Sequence, residues 1–186
     1  MQKARQEIKF SYIDYKSMPE SETKHYELLD GEINMVPSPS YEHQFVSINL
    51  ESALWNFVRE NALGTVLNAP FDVHLGKDVV QPDIIYITKK RRNIIKADEI
   101  HGAPDIVVEI LSPGTAQRDR IYKKKLYAKS VVKEYWIVDT GKKVIETFTL
   151  KKTGYGKVSK YKINQILTSV LLPKLEINVR EIFTEG

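Results

Sequence analysis

The sequence predicts one α/β domain over residues 1–186, with a mixed β-sheet flanked by helices. Three observations support this class. The chain is long enough to bury most of its apolar surface in a single core. Apolar residues with helical spacing cover residues 42–61 and 118–129, and short β-branched runs lie between and after them. No internal repeat, low-complexity tract or linker interrupts this alternation.

The first elements are predicted from local signals. Ser11 can cap a short helix over residues 11–18, and Ser40 can cap the long helix of residues 42–61. Between them, Asp30-Gly31 separates two apolar runs, 26–29 and 32–36, which is a strong signal for a β-hairpin. The amino-terminal part is therefore expected to be a hairpin placed between helices.

The remaining predicted elements are mostly strands. A basic loop, 89–92, follows the third of them, and the helix of residues 118–129 follows the fourth. A short terminal segment ends at residues 182–183. The predicted strands cover residues 66–67, 71–75, 83–88, 105–112, 134–139, 144–150 and 157–163.

Composition limits the kinds of protein this can be. Hydrophobic content of 42% and charged content of 28% are ordinary for a globular protein. No apolar stretch approaches the roughly 18 residues of a membrane span, and the first residues lack a secretory apolar segment, so we expect a cytoplasmic protein without membrane contact. Cysteine is absent, which excludes disulfides and thiolate metal sites.

Charge is unevenly distributed along the chain. Residues 1–88 carry 7 Lys/Arg and 13 Asp/Glu, whereas residues 89–186 carry 21 and 11, so the two parts have net charges of −6 and +10. A fold that gathers this excess on one face would suit a polyanion held near acidic residues. Scattered, solvated lysines are an equally good interpretation of the charge alone.

Glu109 is the most informative residue. It lies in the β-branched run Ile106-Val107-Val108-Glu109-Ile110, which is typical of a strand buried on both faces. An ionised carboxylate there costs several kcal/mol, as an order of magnitude, unless a cation compensates it. Asp83 begins another apolar run, so two acids on neighbouring strands predict a divalent metal site.

The chemistry of that site follows from its donors. A hard ion such as Mg²⁺ takes oxygen ligands and keeps several waters, so Asp83, Glu109 and the Ile110 carbonyl would suffice. Such an ion polarises a phosphoryl oxygen and activates water. Lys123 shares a helical stripe with Asp119 and Tyr127, at i, i+4 and i+8, and can support the water or the developing charge.

Each residue also has a simpler interpretation. Asp83 can be a strand-end cap, and Glu109 can be half of a buried pair with Lys123. Asp119 and Lys123 can form a helix-surface ion pair worth a few tenths of a kcal/mol. His43, which can approach a nucleic-acid backbone, is more simply a helix-start or packing residue.

Taken in order, these features resemble the Uma family of putative restriction endonucleases, within the PD-(D/E)XK nuclease superfamily. The resemblance covers nearly the whole chain. The segments that carry it are Tyr26-Glu27-Leu28-Leu29-Asp30-Gly31-Glu32-Ile33, Pro39-Ser40-Tyr41-Glu42-His43, Val80-Gln81-Pro82-Asp83, Gly102-Ala103-Pro104-Asp105-Ile106-Val107-Val108-Glu109-Ile110-Leu111-Ser112-Pro113, Arg118-Asp119-Arg120, Lys123, Tyr127 and Val132-Lys133-Glu134-Tyr135-Trp136-Ile137-Val138-Asp139.

The resemblance implies a restriction-endonuclease-like fold and metal-dependent phosphodiester hydrolysis. Asp83 and Glu109 match the two acids of the superfamily motif. Leu111 stands where the motif lysine is usual, and Lys123 matches the helix lysine that substitutes for it in such relatives. Glu27 and Glu32 match acids of the family's hairpin, where one can assist the metal.

The resulting hypothesis is a Mg²⁺- or Mn²⁺-dependent DNA endonuclease with Asp83, Glu109 and Lys123 as its catalytic residues. Glu27, Glu32 and His43 are accessory candidates. The helix cations expected to contact DNA are Arg118, Arg120, Lys124 and Lys125. A homodimer is compatible with double-strand cleavage. The alternatives are a catalytically silent nucleic-acid-binding or assembly module on the same fold, and a metal hydrolase of small phosphorylated substrates.

Overall fold

A computed structural model describes residues 8–19 and 25–185 of the chain. Its first helix, α1 (Tyr12–Lys16), begins with a capping box between Ser11 and Asp14. The predicted hairpin is confirmed as β1 (His25–Leu29) and β2 (Glu32–Val36), paired antiparallel. Asp30 and Gly31 both have positive φ, +50° and +79°, as the tight two-residue turn requires.

A seven-stranded mixed sheet forms the centre of the fold. Six of its strands follow the order β11-β10-β9-β8-β6-β3, and β12 pairs with β10 as well. All pairs are antiparallel except β8 with β9. Its strands are β3 (Gly64–Asn68), β6 (Ile84–Thr88), β8 (Ile106–Ile110), β9 (Glu134–Asp139), β10 (Val144–Lys151), β11 (Gly154–Tyr155) and β12 (Ser159–Lys162).

A second sheet of five strands was not anticipated from the sequence. The hairpin β1–β2 extends into β4 (Asp72–Leu75), β5 (Asp78–Val80) and β7 (Glu99–His101), in the order β2-β1-β5-β4-β7. The strands β5 and β7 are only three residues long, so neither shows a periodicity that sequence analysis could detect. A further short pair joins β13 (Ile166–Leu167) to β14 (Ile177–Asn178).

Helices cover both faces of the central sheet, which confirms the predicted α/β class. On one face, the core contains Leu50 and Leu54 of α2 (Tyr41–Glu60) together with Val108 of β8. The terminal helix α5 (Val179–Phe183) joins this core. None of the described helices has the length and apolar character needed to cross a membrane.

The opposite face packs against a helix with an irregular centre. The segments α3 (Ala116–Arg118) and α4 (Lys124–Lys129) are joined without a break by a π-helical turn, Asp119–Lys123. The basic tract, predicted as a loop, forms a 3₁₀-helix, Lys89–Ile94. A helix with a π turn over the strand of Glu109 is the feature that positions the site, because such turns redirect side chains.

Candidate active site

Strand pairing brings the two predicted acids to the same face of the sheet. In the antiparallel pair of β6 and β8, Ile84 lies opposite Val108. The same register, extended by one residue, sets Asp83 opposite Glu109, and opposed residues of an antiparallel pair project from the same face. The predicted neighbourhood of these two strands is therefore confirmed.

A buried ammonium group lies at the centre of the acids. Lys123 Nζ lies 2.7 Å from Oε1 of Glu27, 3.0 Å from Oε1 of Glu109 and 3.6 Å from Oδ1 of Asp119. These four side chains are each at most 6% exposed. Tyr127 donates its hydroxyl proton to Oε1 of Glu109 at 2.5 Å. The predicted stripe of Asp119, Lys123 and Tyr127 thus surrounds Glu109 in space.

Asp83 is held by different groups. Its Oδ2 accepts a hydrogen bond from the backbone N–H of Ile110 at 2.6 Å, and its Oδ1 lies 3.2 Å from Nε2 of His43. Burial lowers the pKa of the His43 imidazole, but Asp83, the backbone of Ile110 and the charge of Asp119 together outweigh this, so its pKa lies above the ordinary value. His43 therefore contacts Asp83, and its buried Nδ1 has no hydrogen-bond partner among the described residues.

The cluster contains more acidic than basic groups. Glu27, Glu109 and Asp119 surround the single buried ammonium of Lys123, and Asp83 lines the same cavity. Burial raises the pKa of the Glu109 carboxyl well above its ordinary value; Lys123 opposes this, and the charges of Asp119, Asp83 and Glu27 raise it further. Burial alone would lower the pKa of Lys123, but the surrounding carboxylates hold it well above its ordinary value. The site thus keeps its cation charged and has acidic charge in excess.

An open cavity of about 310 Å³ gives access to these groups. One wall consists of the segment after the hairpin, including Pro37 and Pro39, and another consists of the loop that contains Pro70. Glu27, His43, Asp83, Glu109, Ile110, Arg118, Asp119 and Lys123 all line it. The two motif acids are therefore neither turned away from each other nor closed off from solvent.

The structure separates the four helix cations predicted to contact DNA. Arg118 lines the cavity, where its Nη2 donates to Oδ1 of Asn34 at 2.9 Å. Arg120 instead pairs with Glu146 and with Asp139. Lys124 lies over the ring of Phe148, with Nζ 3.8 Å from its centroid, and Lys125 is exposed. Neither lysine lines the cavity, because the helix turns them away from it.

The two hairpin acids also have different positions. Glu27 is buried beside Lys123, and its Oε1 accepts a hydrogen bond from the backbone N–H of Gln81 at 3.0 Å. Glu32 is 65% exposed and lies 3.8 Å from Lys9, outside the cavity. Only one of the two can therefore act at the site.

Sequence reasoning did not foresee several contacts that shape the site. Tyr127 was named for its place on a helical stripe and in the family resemblance, with no predicted hydrogen bond to Glu109. Gln81, which holds Glu27, was named only within a segment of the family resemblance, and Asn34, which holds Arg118, was not singled out. The π turn of Asp119–Lys123 was predicted as ordinary helix, because no residue type marks an i+5 turn in a sequence.

The oxygen atoms at the site are of the type that a hard divalent cation prefers. Both hydrogen bonds of Glu109 are made by Oε1, and among the described residues none is made by Oε2. Within residues 8–19 and 25–185, no group of three or more His, Asp or Glu side chains is arranged to hold a metal. A cation here would therefore be bound by Asp83, Glu109, the Ile110 carbonyl and water, which is how Mg²⁺ is usually held.

Comparison with known proteins identifies the family. The Uma2 family model, described as putative restriction endonuclease, matches residues 13–180. A crystal structure of a putative nuclease belonging to DUF820 from Anabaena variabilis superposes with a TM-score of 0.79 at 18% identity, over 94% of this chain and 97% of that chain. The curated proteins contain no match. The structural similarity supports the predicted fold class, and the family match shows that this chain belongs to the Uma2 family.

Proposed function

We propose that this protein is a Mg²⁺- or Mn²⁺-dependent endonuclease that hydrolyses phosphodiester bonds of DNA. One observation carries the proposal: acids from four separate parts of the chain converge on one open cavity that contains a single buried ammonium. Folding offers no reason to collect Glu27, Asp83, Glu109 and Asp119 there, because their mutual repulsion is costly. A bound cation would compensate it.

Each residue then has a defined role. Asp83, Glu109 and the Ile110 carbonyl would hold the metal, which supplies a Lewis acid and an activated water. Lys123 stabilises the negative charge that develops on the phosphoryl oxygens. Glu27 holds Lys123 in position. Arg118, at the cavity wall, binds a phosphate of the substrate.

The choice of substrate rests on family membership and charge. The family description concerns restriction endonucleases, and residues 89–186 carry the positive charge that suits a polyanion. A homodimer would place two active sites on one duplex, and sedimentation of the purified protein with and without DNA would test for it.

Cleavage of supercoiled plasmid DNA tests the proposal. With Mg²⁺ or Mn²⁺ we expect nicked and linear products from the wild type. Asp83→Asn and Glu109→Gln should lower the rate by roughly 10³-fold or more, since each removes a proposed metal ligand. Glu32→Gln is the matched control, because it neutralises a hairpin acid outside the cavity. Equal activity of all four preparations would indicate a contaminating nuclease and reject the proposed site.

A catalytically silent DNA-binding module is the second candidate. It is favoured by the position of Lys123, whose ammonium already bridges Glu27 and Glu109. Salt-sensitive DNA binding by the wild type, without cleavage in either metal, would support this function instead.

A further inference from the structure

A second cavity lies far from the acids. It has a volume of about 330 Å³ and is formed by the last turns of α2, the start of β3 and the 3₁₀-helix Lys89–Ile94. Asp83 precedes β6 and Lys89 follows it, so the length of one strand, roughly 20 Å, separates the two sites. We call this cavity the distal basic pocket. Its lining residues with polar or aromatic side chains are Trp55, Arg59, Thr65, Lys89 and Arg92.

The charge of this pocket is entirely positive. Arg59, Lys89 and Arg92 line it, and no Asp or Glu does. Within the described residues, no carboxylate oxygen lies within 4.0 Å of a charged side-chain nitrogen of any of these three residues. Three uncompensated cations around one concavity repel each other, which an anionic ligand would relieve.

The pocket is held in place by an ion pair to a buried acid. Arg91, in the middle of the basic tract, points inward and places Nη1 3.0 Å from Oδ1 of Asp105, which is fully buried. A 3₁₀-helix has three residues per turn, so Lys89 and Arg92 lie on the same side of it. Anchoring through Arg91 thus presents the other two cations together at the pocket.

Other donors and an aromatic surface complete the pocket. Trp55 is 43% exposed, and the guanidinium carbon of Arg59 lies 4.8 Å from the centroid of its ring. β3 is the edge strand of the sheet. The backbone N–H of Lys89 bonds to the carbonyl of Leu63, and that of Ala69 bonds to the carbonyl of Asp83. Because hydrogen-bonded and non-hydrogen-bonded pairs alternate along antiparallel strands, the N–H of Val66 points away from β6, toward the open edge.

We propose that the distal basic pocket binds a backbone phosphate of the DNA strand, at a distance from the bond that is cleaved. The inference rests on the proposed function for its choice of ligand. Successive phosphates of one strand rise about 3.4 Å along the duplex axis, so a separation of roughly 20 Å along that axis corresponds to about six base pairs. The pocket would then position a long substrate without taking part in hydrolysis.

Length-dependent DNA binding tests this inference. Fluorescence anisotropy in EDTA compares a labelled 20-base-pair duplex with a hairpin duplex of four base pairs, whose stem spans only about 10 Å and cannot reach both sites. The test variant carries Lys89→Glu and Arg92→Glu. The control carries Lys152→Glu and Lys157→Glu, which make the same charge change at exposed lysines outside both cavities.

We expect the test variant to bind the 20-base-pair duplex at least about ten-fold more weakly, with a salt slope lower by about 2. Its affinity for the short duplex should change much less, and the control should keep the length dependence of the wild type. Equal weakening by both double variants, equal weakening of both duplexes, or a wild type without length dependence would each reject the pocket.

The proposed function has a separate outcome. Cleavage by the wild type in Mg²⁺ or Mn²⁺ is scored on the same duplexes. If cleavage is absent but binding depends on length and on Lys89 and Arg92, hydrolysis is rejected and the distal basic pocket stands. If cleavage is present and the two double variants behave alike, the proposed function stands and the pocket is rejected.

Discussion

The two ends of β8 carry buried acids with opposite electrostatic surroundings. Asp105 precedes the strand and is fully buried, yet two cations meet it: Arg91 at 3.0 Å and Lys133 at 2.7 Å. It also accepts a hydrogen bond from the backbone N–H of Thr88 at 2.8 Å. Glu109, at the other end, shares its one cation with two further carboxylates.

The difference appears in the pKa values. Burial raises the pKa of Asp105, but Lys133, Thr88 and Arg91 outweigh it, so the net pKa lies below the ordinary value. At Glu109 burial dominates, and the net pKa is raised. A buried acid with matched charge contributes to the fold, whereas a buried acid among excess acids leaves a place for another cation. Burial alone does not distinguish them.

Amide substitutions give the largest expected difference in stability. Asp105→Asn leaves two cations without a counter-charge, and we expect the free energy of unfolding to fall by about 3 kcal/mol, because both cations partly reach solvent. Glu109→Gln keeps the shape while removing repulsion, so its change should stay within about 1 kcal/mol. Urea unfolding with an unchanged m-value measures both. A loss at Glu109→Gln as large as at Asp105→Asn would make Glu109 half of a structural pair with Lys123.

Metal binding should give a smaller effect, confined to one end of the strand. Mg²⁺ or Mn²⁺ at ten times its Kd should stabilise the wild type by about 1.4 kcal/mol, because it binds only the folded state. Asp105→Asn should respond in the same way, and Glu109→Gln should not respond. The stabilisation is measured from thermal unfolding over a titration of the metal, with an EDTA-treated, metal-free sample as the reference. Stabilisation of Glu109→Gln equal to that of the wild type would place the metal elsewhere.

The third difference is in the slope of stability against pH, measured without metal. The pKa of Asp105 in the folded state lies below its ordinary 3.8. Its ionised carboxylate therefore stabilises the fold above pH 3.8, and this stabilisation is lost as the pH falls through the folded-state pKa. The difference in the free energy of unfolding between the wild type and Asp105→Asn should therefore shrink in acid. The pKa of Glu109 in the folded state is raised, so the contribution of this residue to stability is lost as the pH rises above 4.5, the ordinary pKa of a glutamate. Urea midpoints from pH 3 to pH 8 test both signs, and parallel curves for all three proteins would contradict them.

Sequence analysis identified the elements that have strong local signals. The Asp30-Gly31 hairpin, the Ser40-capped helix and the strands containing Ile84 and Glu134 were predicted close to their observed bounds. It missed β5 and β7, which have three residues each and form only because neighbouring strands pair with them. Pairing between distant segments has no local signature.

The candidate site residues could be predicted without coordinates: two acids at unfavourable places in apolar strands, and a lysine on the helix that follows. This was possible because a charge inside a β-branched run has a cost that is visible without coordinates. Which charges meet depends on the fold. It paired Asp105 with two cations, gathered Glu27 and Asp119 around Lys123, and left Arg120 and Lys124 outside. Coulomb interactions depend on distances of a few ångströms between segments far apart in the chain, and those distances exist only in the fold.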